Sequence, residues 1–251
     1  MTLDDIYQQL SFGELRQLFM GGKNIDDPNT GMPEESFYKL LPTIQLGLTE
    51  MHKRFNLRLG YFNVNLQDGQ VIYQLLHKFA ASNSRSKELV KYIDDSEFKF
   101  YNNLLKVECM EGVLDEEKYE IPMNEAGNDE AIMFLSDTTF KIPTDEEKAP
   151  WLTETTSIKV TYRANHPEIN TYIANVSPKT TEIYLPHTHL EALCYYVASR
   201  MYNPIGMVPN SIHQGNNYFA KFEASCLKIQ DRGFEIDDDE LSSKFGARGF
   251  C

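Results

Sequence analysis

The residues best suited to chemistry lie in one short stretch, LPHTHLEALCYYVASRMYNP, which spans residues 185–204. Four residues of types that bind transition metals fall within eight positions of it: His187, His189, Glu191 and Cys194. A His-x-His pair on a β-strand places both rings on one face, as metal sites in β-barrels often use. One hypothesis is therefore a β-barrel, metal-dependent enzyme that uses His187 and His189.

The same stretch also has the pattern of a helix start. Thr188 and Glu191 have the Thr-x-x-Glu spacing of a capping box. Residues two apart on a helix do not face each other, so the rings of His187 and His189 would point apart. An apolar stripe follows at helical spacing and consists of Leu190, Leu193, Cys194, Val197 and Met201. We therefore predict a capped core helix here, with no metal and no cofactor.

The rest of the chain offers little for catalysis. It contains no Gly-rich phosphate loop, no G-x-S-x-G elbow and no H-E-x-x-H motif, and nothing pairs a nucleophile with a base. The acidic run EIDDDE, Glu235 to Glu240, lacks the glycine and the spaced acids of a calcium loop. We therefore predict no catalytic residues and a protein that is not an enzyme.

The charge balance bears on possible partners. The chain has 37 acidic residues against 24 basic ones and a net charge of −13. A protein that grips DNA needs clustered bases, and the basic cluster of this chain is MHKRFNLRLG, residues 51–60. Its bases are expected to complement the negative end of a helix. The apolar runs are too short to span a bilayer, and the four cysteines show no CxxC, so we expect no membrane partner and reduced thiols.

Two periodicities define the elements. Apolar residues recur at helical spacing over about 34–55, 188–202 and 215–232. Apolar and polar residues alternate in YFNVNL, LLKVECM, SIKVTYRA and TEIYL, as in antiparallel strands with one buried face. The strands occur between about residues 57 and 185, with helices on both sides of them in the sequence.

This order predicts an α+β fold. A helical bundle core would combine the N-terminal helix with the two C-terminal helices, and an antiparallel β-sandwich or barrel would be inserted between them. The expected domains are a helical core of residues 1–56 and 186–232, a β-rich insertion of residues 57–185, and an extended C-terminal arm of residues 233–251.

Two groups of residues are candidates for contacts with other subunits. The first lies opposite the apolar stripe of the capped helix and consists of Tyr195, Tyr196, Arg200 and Tyr202. The second lies in the tail LSSKFGARGFC, where Phe245, Arg248 and Phe250 stand among small residues. An arm of this kind would dock its aromatic side chains into a groove on a neighbouring subunit, where a few side chains supply most of the affinity.

The ordered segments resemble the head-to-tail adaptor (connector) proteins of short-tailed bacteriophages, of the tail-tubular class. The resemblance covers nearly the whole chain and rests on SFGELRQLF, LPTIQLGLTEMHKRFNLRLG, NNLLKVECMEG, YEIPMNE, VTYRANHPEI, IYLPHTHLEALCYYVASRMYNP and GNNYFAKFEASCLKI. It implies a helical core with a β insertion, assembled into a ring of twelve copies. It also implies no catalytic residues and no cofactor.

The resemblance further implies the partners. The ring would clasp the portal protein, partly through the C-terminal arms, and would receive the tail tube or nozzle protein below. Double-stranded DNA would pass through its lumen without sequence-specific binding, and acidic walls would let the phosphates slide. The protein would be assembled in the cytoplasm of the bacterial host and would reside at the head–tail junction of the virion. A different tail or capsid-stabilising structural protein is the remaining alternative.

Overall fold

The chain divides into two units. The computed structural model describes residues 1–16, 34–169, 178–202 and 209–231. The first unit is helical and combines residues 1–57 with residues 166–251, and the second is the β-rich segment 58–165. The mixture of helices and antiparallel sheets confirms the predicted α+β class.

The α-helices of the described residues are α1 (Leu3–Phe12), α2 (Glu34–Arg54), α3 (Trp151–Glu154), α4 (Leu190–Tyr202) and α5 (Pro209–Asp231). The predicted apolar stripe of α2 is buried, and its described members are Leu40, Leu41, Ile44, Leu48, Met51 and Phe55. Pro42 lies inside α2 and is exposed, on the side away from this stripe. None of the described helices is long and apolar enough to cross a membrane.

Helices α2 and α4 approach each other closely at Gly47. A Cβ atom at this position would lie 2.6 Å from Cδ1 of Leu193 and 3.0 Å from Cδ1 of Tyr196. Real Cβ atoms do not come so near to a neighbour, so a glycine is needed for the two helices to pack at this distance. The packing of α2 on α4 thus depends on the glycine at position 47 as well as on the apolar stripes of the two helices.

The β unit contains two antiparallel sheets. Its strands are β1 (Leu59–Asn65), β2 (Ile72–Gln74), β3 (Ile93–Asp94), β4 (Leu104–Leu114), β5 (Glu117–Glu120), β6 (Met133–Ser136), β7 (Thr139–Lys141) and β8 (Ser157–Ala164). One sheet has the order β3-β1-β8-β4-β5, and the other has the order β2-β7-β6. The alternation along β1 and β8 produces the predicted pattern, because every second residue is buried.

The inner faces of the two sheets share one hydrophobic core, so the unit is a β-sandwich. Phe62 and Tyr162 come from the larger sheet, and Tyr73 stacks on Phe140 within the smaller one with 5.4 Å between ring centroids. Trp151 of α3 is fully buried in the same core, and its Nε1–H donates to the carbonyl oxygen of Glu130 at 3.0 Å.

The predicted boundary of the insertion at residue 185 is wrong, because the segment from residue 166 belongs to the helical unit. Its backbone runs beside the N-terminus: Leu3 N–H donates to Thr181 O, and Ile183 N–H donates to Met1 O, each at 2.9 Å. Ile183 and Leu185 are buried in the helical core. The alternation in TEIYL therefore reflects an extended segment against α1, which forms a single bridge between Thr2 and Glu182 and no sheet.

Candidate functional site

The predicted contact face of α4 is largely covered by the protein itself. Of its four residues, Tyr196 and Tyr202 are buried at 4 % exposure each, Tyr195 is half-buried, and only Arg200 is exposed. The prediction that all four are available to a neighbouring subunit is therefore wrong for Tyr196 and Tyr202. Arg200 lies over the Tyr196 ring, 5.4 Å from its centroid.

Helix α5 contributes to this burial, because it packs against α4. The ring of Tyr202 stacks on Tyr218 of α5 at 5.4 Å, and its hydroxyl donates to the carbonyl oxygen of Glu14 at 3.1 Å. The ring of Tyr196 meets Phe222 edge-on at 5.3 Å. These tyrosines therefore hold the helical unit together instead of forming a free surface.

Tyr195 and its neighbours form the polar rim of this packing. The Tyr195 hydroxyl donates to Oε1 of Glu191 at 2.7 Å, and this hydrogen bond, together with burial, raises the pKa of Tyr195 to about 12. The ammonium of Lys221 lies 5.6 Å from the Tyr195 ring centroid and 5.0 Å from that of Tyr218. Arg200 and Lys221 are the exposed cations of this rim. The tail residues Phe245, Arg248 and Phe250, and the acidic run Glu235–Glu240, lie outside the described residues.

The predicted capping box is wrong. His187–His189 form a 3₁₀ turn that leads directly into α4, so Thr188 already has helical backbone and is not the N-cap. The Thr188 hydroxyl lies 3.0 Å from Nδ1 of His189, and Glu191 accepts its hydrogen bond from Tyr195. A capping box does occur at α1, where Thr2 N–H donates to Asp5 Oδ2 at 2.8 Å and Asp5 N–H donates to Thr2 Oγ1 at 3.4 Å.

The histidines of the opening stretch are separated by the fold. His187 is exposed, whereas His189 is buried at 1 % exposure with its ring edge-on to Phe55 at 4.7 Å. Nε2 of His189 has no hydrogen-bond partner among the described residues. Over the same residues, no group of three or more His, Cys, Asp or Glu side chains could hold a metal ion.

The helical unit buries two further histidines that the sequence did not single out. His52 and His166 have their ring centroids 5.6 Å apart. The Tyr184 N–H donates to Nε2 of His166 at 3.1 Å, so Nδ1 carries the proton and donates to Pro167 O at 2.7 Å. His166 is therefore neutral, and its burial was not detectable because the ring sits in a connection without periodicity.

Acidification is expected to destabilise the helical unit through His189. Burial, with a smaller contribution from His52, lowers the pKa of His189 below its ordinary value of 6.5. The unfolded chain therefore binds a proton at His189 more readily than the folded chain does. The stability that the neutral ring contributes is fully present above pH 6.5, and it declines as the pH falls towards the lower pKa of the folded state. One such histidine changes the free energy of unfolding by up to about 1.4 kcal/mol per pH unit.

The measurement is urea unfolding followed by circular dichroism between pH 7.5 and 5. His189→Gln removes the ionisable group and keeps polar atoms at the site, so this variant should show a smaller decline. His187→Gln is the matched control, because His187 is exposed two positions earlier. Equal pH dependence in His189→Gln and the parent chain would show that the buried ring is not responsible.

The cysteines are poorly suited to nucleophilic chemistry. Burial raises the pKa of Cys109 and of Cys226 to about 11, and it raises the pKa of Cys194 further still. Because the thiolate is the nucleophile, these side chains stay protonated and act as small apolar groups. Cys251 lies outside the described residues.

In comparisons with known proteins, no protein-family model matches the chain and no curated protein matches it.

Proposed function

We propose that this chain is a structural protein of a virion, and that it forms the adaptor ring between the portal and the tail. The observation that carries the proposal is the insertion of a β-sandwich, residues 58–165, between the helices α2 and α4 of a helical unit. This is the organisation that the resemblance to head-to-tail adaptors implies, and the matching segments follow the same order along the chain.

The chemistry of the described residues supports a structural role. The thiols are held protonated, His189 is buried away from His187, and the tyrosines of α4 are used for packing. The net charge of −13 suits a ring through which DNA passes, because acidic walls repel phosphate and prevent the DNA from adhering. The ring would sit at the head–tail junction, with the portal above and the nozzle or tube below.

The C-terminal arm of residues 233–251 would contribute to the portal contact through Phe245, Arg248 and Phe250. The test is the native mass of the portal ring of the same virus with and without this chain. We expect the chain to add as a closed ring of twelve copies. Deletion of residues 241–251 should weaken attachment and leave the circular dichroism spectrum of the rest unchanged.

Two outcomes would overturn the proposal. The first is a portal ring that binds no copies of the full chain under any salt condition. The second is a stoichiometric content of zinc, iron or manganese in the purified protein that is lost in His189→Ala, because this would favour the metal-dependent enzyme. Unchanged attachment after deletion of residues 241–251 would remove the role of the arm alone.

A further inference from the structure

The β unit carries a basic loop in an otherwise acidic protein. The loop, residues 77–91, connects the strands β2 and β3, and it has four basic residues against the single acid Glu88. The basic residues are Lys78, Arg85, Lys87 and Lys91. Arg85 and Lys87 are exposed at its surface. The loop therefore presents positive charge in a chain whose net charge is −13.

The basic loop is held in a defined shape at one edge of the larger sheet. Ala80 pairs with Ile93 of β3 on the side away from β1, so the loop lies beyond the outermost strand. Inside the loop, the Ser86 hydroxyl donates to Lys78 O at 2.6 Å, and the Asn83 amide donates to His77 O at 3.1 Å. The charges of the loop are consequently displayed on a fixed backbone.

The same loop exposes apolar side chains next to its charges. Leu89 is 100 % exposed and Val90 is 49 % exposed. A fully exposed leucine in a loop held by hydrogen bonds is well suited to insertion into an apolar groove of another protein. We call Leu89 and Val90 the apolar tip of the basic loop.

The opposite edge of the same sheet is acidic. Residues 115–130 include β5, the outermost strand on that side, and contain seven acidic residues against the single base Lys118. The exposed acids of this acidic edge are Asp115, Glu116, Glu117, Glu120, Glu125 and Asp129. With four strand spacings between them, β3 and β5 lie about 19 Å apart. The basic loop and the acidic edge thus lie at the two opposite edges of one sheet.

A groove with a mixed polar and apolar lining adjoins the acidic edge. It has a volume of about 360 Å³ and lies between the first part of β4 and the strand β6, where β5 does not pair with β4. Met123 belongs both to the acidic edge and to the groove. Its apolar lining residues are Leu105, Val107, Met123, Phe134 and Leu135, and its polar ones are Lys106, Asn124, Ser136 and Asp137. The acidic edge therefore combines negative charge with a groove that has an apolar side, which matches the basic loop and its apolar tip.

We propose that the basic loop of one copy docks on the acidic edge of a second copy of this chain, with the apolar tip in the groove. Because the two surfaces differ and lie at opposite edges of one sheet, the contact is head-to-tail, and it repeats from copy to copy, which is the type of contact that a closed ring requires. The apolar tip favours a protein over a DNA backbone as the partner, since DNA phosphates are contacted by polar and charged groups. This inference deepens the proposed ring and rests on it.

The electrostatic attraction between the basic loop and the acidic edge is tested by charge reversal in the full-length chain. Self-association is followed by sedimentation at concentrations up to about 1 mM. Arg85→Glu with Lys87→Glu, and separately Glu120→Lys with Glu125→Lys, which are the acids of the edge nearest to the groove, should each weaken self-association about 100-fold. An equimolar mixture of the two variants should recover it, because each then presents a surface complementary to the other. Lys39→Glu with Lys228→Glu is the control, since it makes the same charge change as the first pair at exposed sites on α2 and α5.

The apolar contact between the tip of the basic loop and the groove is tested by Leu89→Ser and Leu135→Ser. Both positions are exposed, so these variants are expected to fold. Each should weaken self-association about tenfold, whereas Leu46→Ser, at an exposed site on α2, should not. The association should also weaken as salt rises from about 0.05 to about 0.5 M.

Three results would overturn the docking: a wild-type chain that stays monomeric at every concentration, charge-reversed variants that associate like the parent, or a mixture that does not recover. The portal-mass experiment remains a separate test of the proposed function. A chain that forms a ring on the portal and keeps it in both charge-reversed variants would leave the adaptor proposal standing and remove this contact.

Discussion

Replacing Asp95 with alanine is expected to lower the free energy of unfolding of the β unit by about 2 to 4 kcal/mol. Asp95 is 1 % exposed and accepts the N–H groups of Ser82 at 2.9 Å and of Phe100 at 3.0 Å, together with the Ser82 hydroxyl. Alanine would leave the Phe100 N–H without a partner in the interior, and it would also release Ser82 of the basic loop from the residue that follows β3.

The same carboxylate makes the β unit sensitive to acid. Burial alone would raise the pKa of Asp95, but the hydrogen bonds from Ser82 and Phe100 outweigh burial and hold the pKa below its ordinary value of 3.8. The stability that the ionised Asp95 carboxylate contributes is therefore fully present above pH 3.8. It is lost as the pH falls through the lower pKa of the folded state. Asp95→Ala should remove this part of the acid sensitivity.

The measurement is urea unfolding followed by the fluorescence of Trp151, the single tryptophan of the chain and part of the same core. Asp94→Ala is the matched control. Asp94 is the preceding residue, is half-buried and accepts the Ser96 N–H at 3.1 Å, so its loss should cost about 1 kcal/mol or less. Equal stability of the two variants would contradict the role assigned to the buried carboxylate.

Periodicity predicted the three longest helices and the three longest strands of the described residues, α2, α4 and α5 with β1, β4 and β8, because the pattern of a buried face is local. It did not predict the five short strands. In β4 the buried residues are Met110 and Gly112, on the opposite face to the predicted Leu105, Val107 and Cys109, and the register shifts between Val107 and Cys109. The sheet orders were not predictable in the same way. The order β3-β1-β8-β4-β5 brings together strands that are up to about a hundred residues apart, and hydrogen bonds between strands leave no local pattern.

The error at α4 has a specific physical cause. A stripe such as Leu193 and Val197 identifies one buried face, but a helix with neighbours on two sides buries two. Tyr196 and Tyr202 look like an outward face until α5 is placed against them. Their hydroxyls and rings are compatible with water and with packing alike, so residue type could not decide between the two.

The relation between the basic loop and the acidic edge of the β unit was also not predicted, because it too depends on how elements pack. Four bases between residues 78 and 91 are a visible local enrichment, and seven acids between 115 and 130 are another. Their relation depends on β3 and β5 being the two outermost strands of one sheet, which only the topology provides. The candidate contact therefore arises from the fold, whereas its charges were present in the sequence.

The second large effect is expected from Phe222→Ala in α5, which should lower the free energy of unfolding of the helical unit by about 3 to 5 kcal/mol. The Phe222 ring is fully buried. It meets Tyr196 edge-on, and the guanidinium carbon of Arg54 lies 4.7 Å from its centroid. Truncation would leave a cavity between α5 and α4, and Tyr196 of α4 would lose its contact with the Phe222 ring.

The ion pair beside the ring should survive this change. Arg54 donates to both carboxylate oxygens of Glu223, at 2.7 and 2.6 Å, and these two hydrogen bonds do not involve the Phe222 side chain. Phe219→Ala is the matched control on the same helix, because Phe219 is 43 % exposed and its truncation should cost about 1 kcal/mol or less. Urea unfolding followed by far-ultraviolet circular dichroism compares the two. If Phe222→Ala were no less stable than Phe219→Ala, the covering of α4 by α5 would be wrong, and Tyr196 and Tyr202 would again be candidates for a contact between subunits.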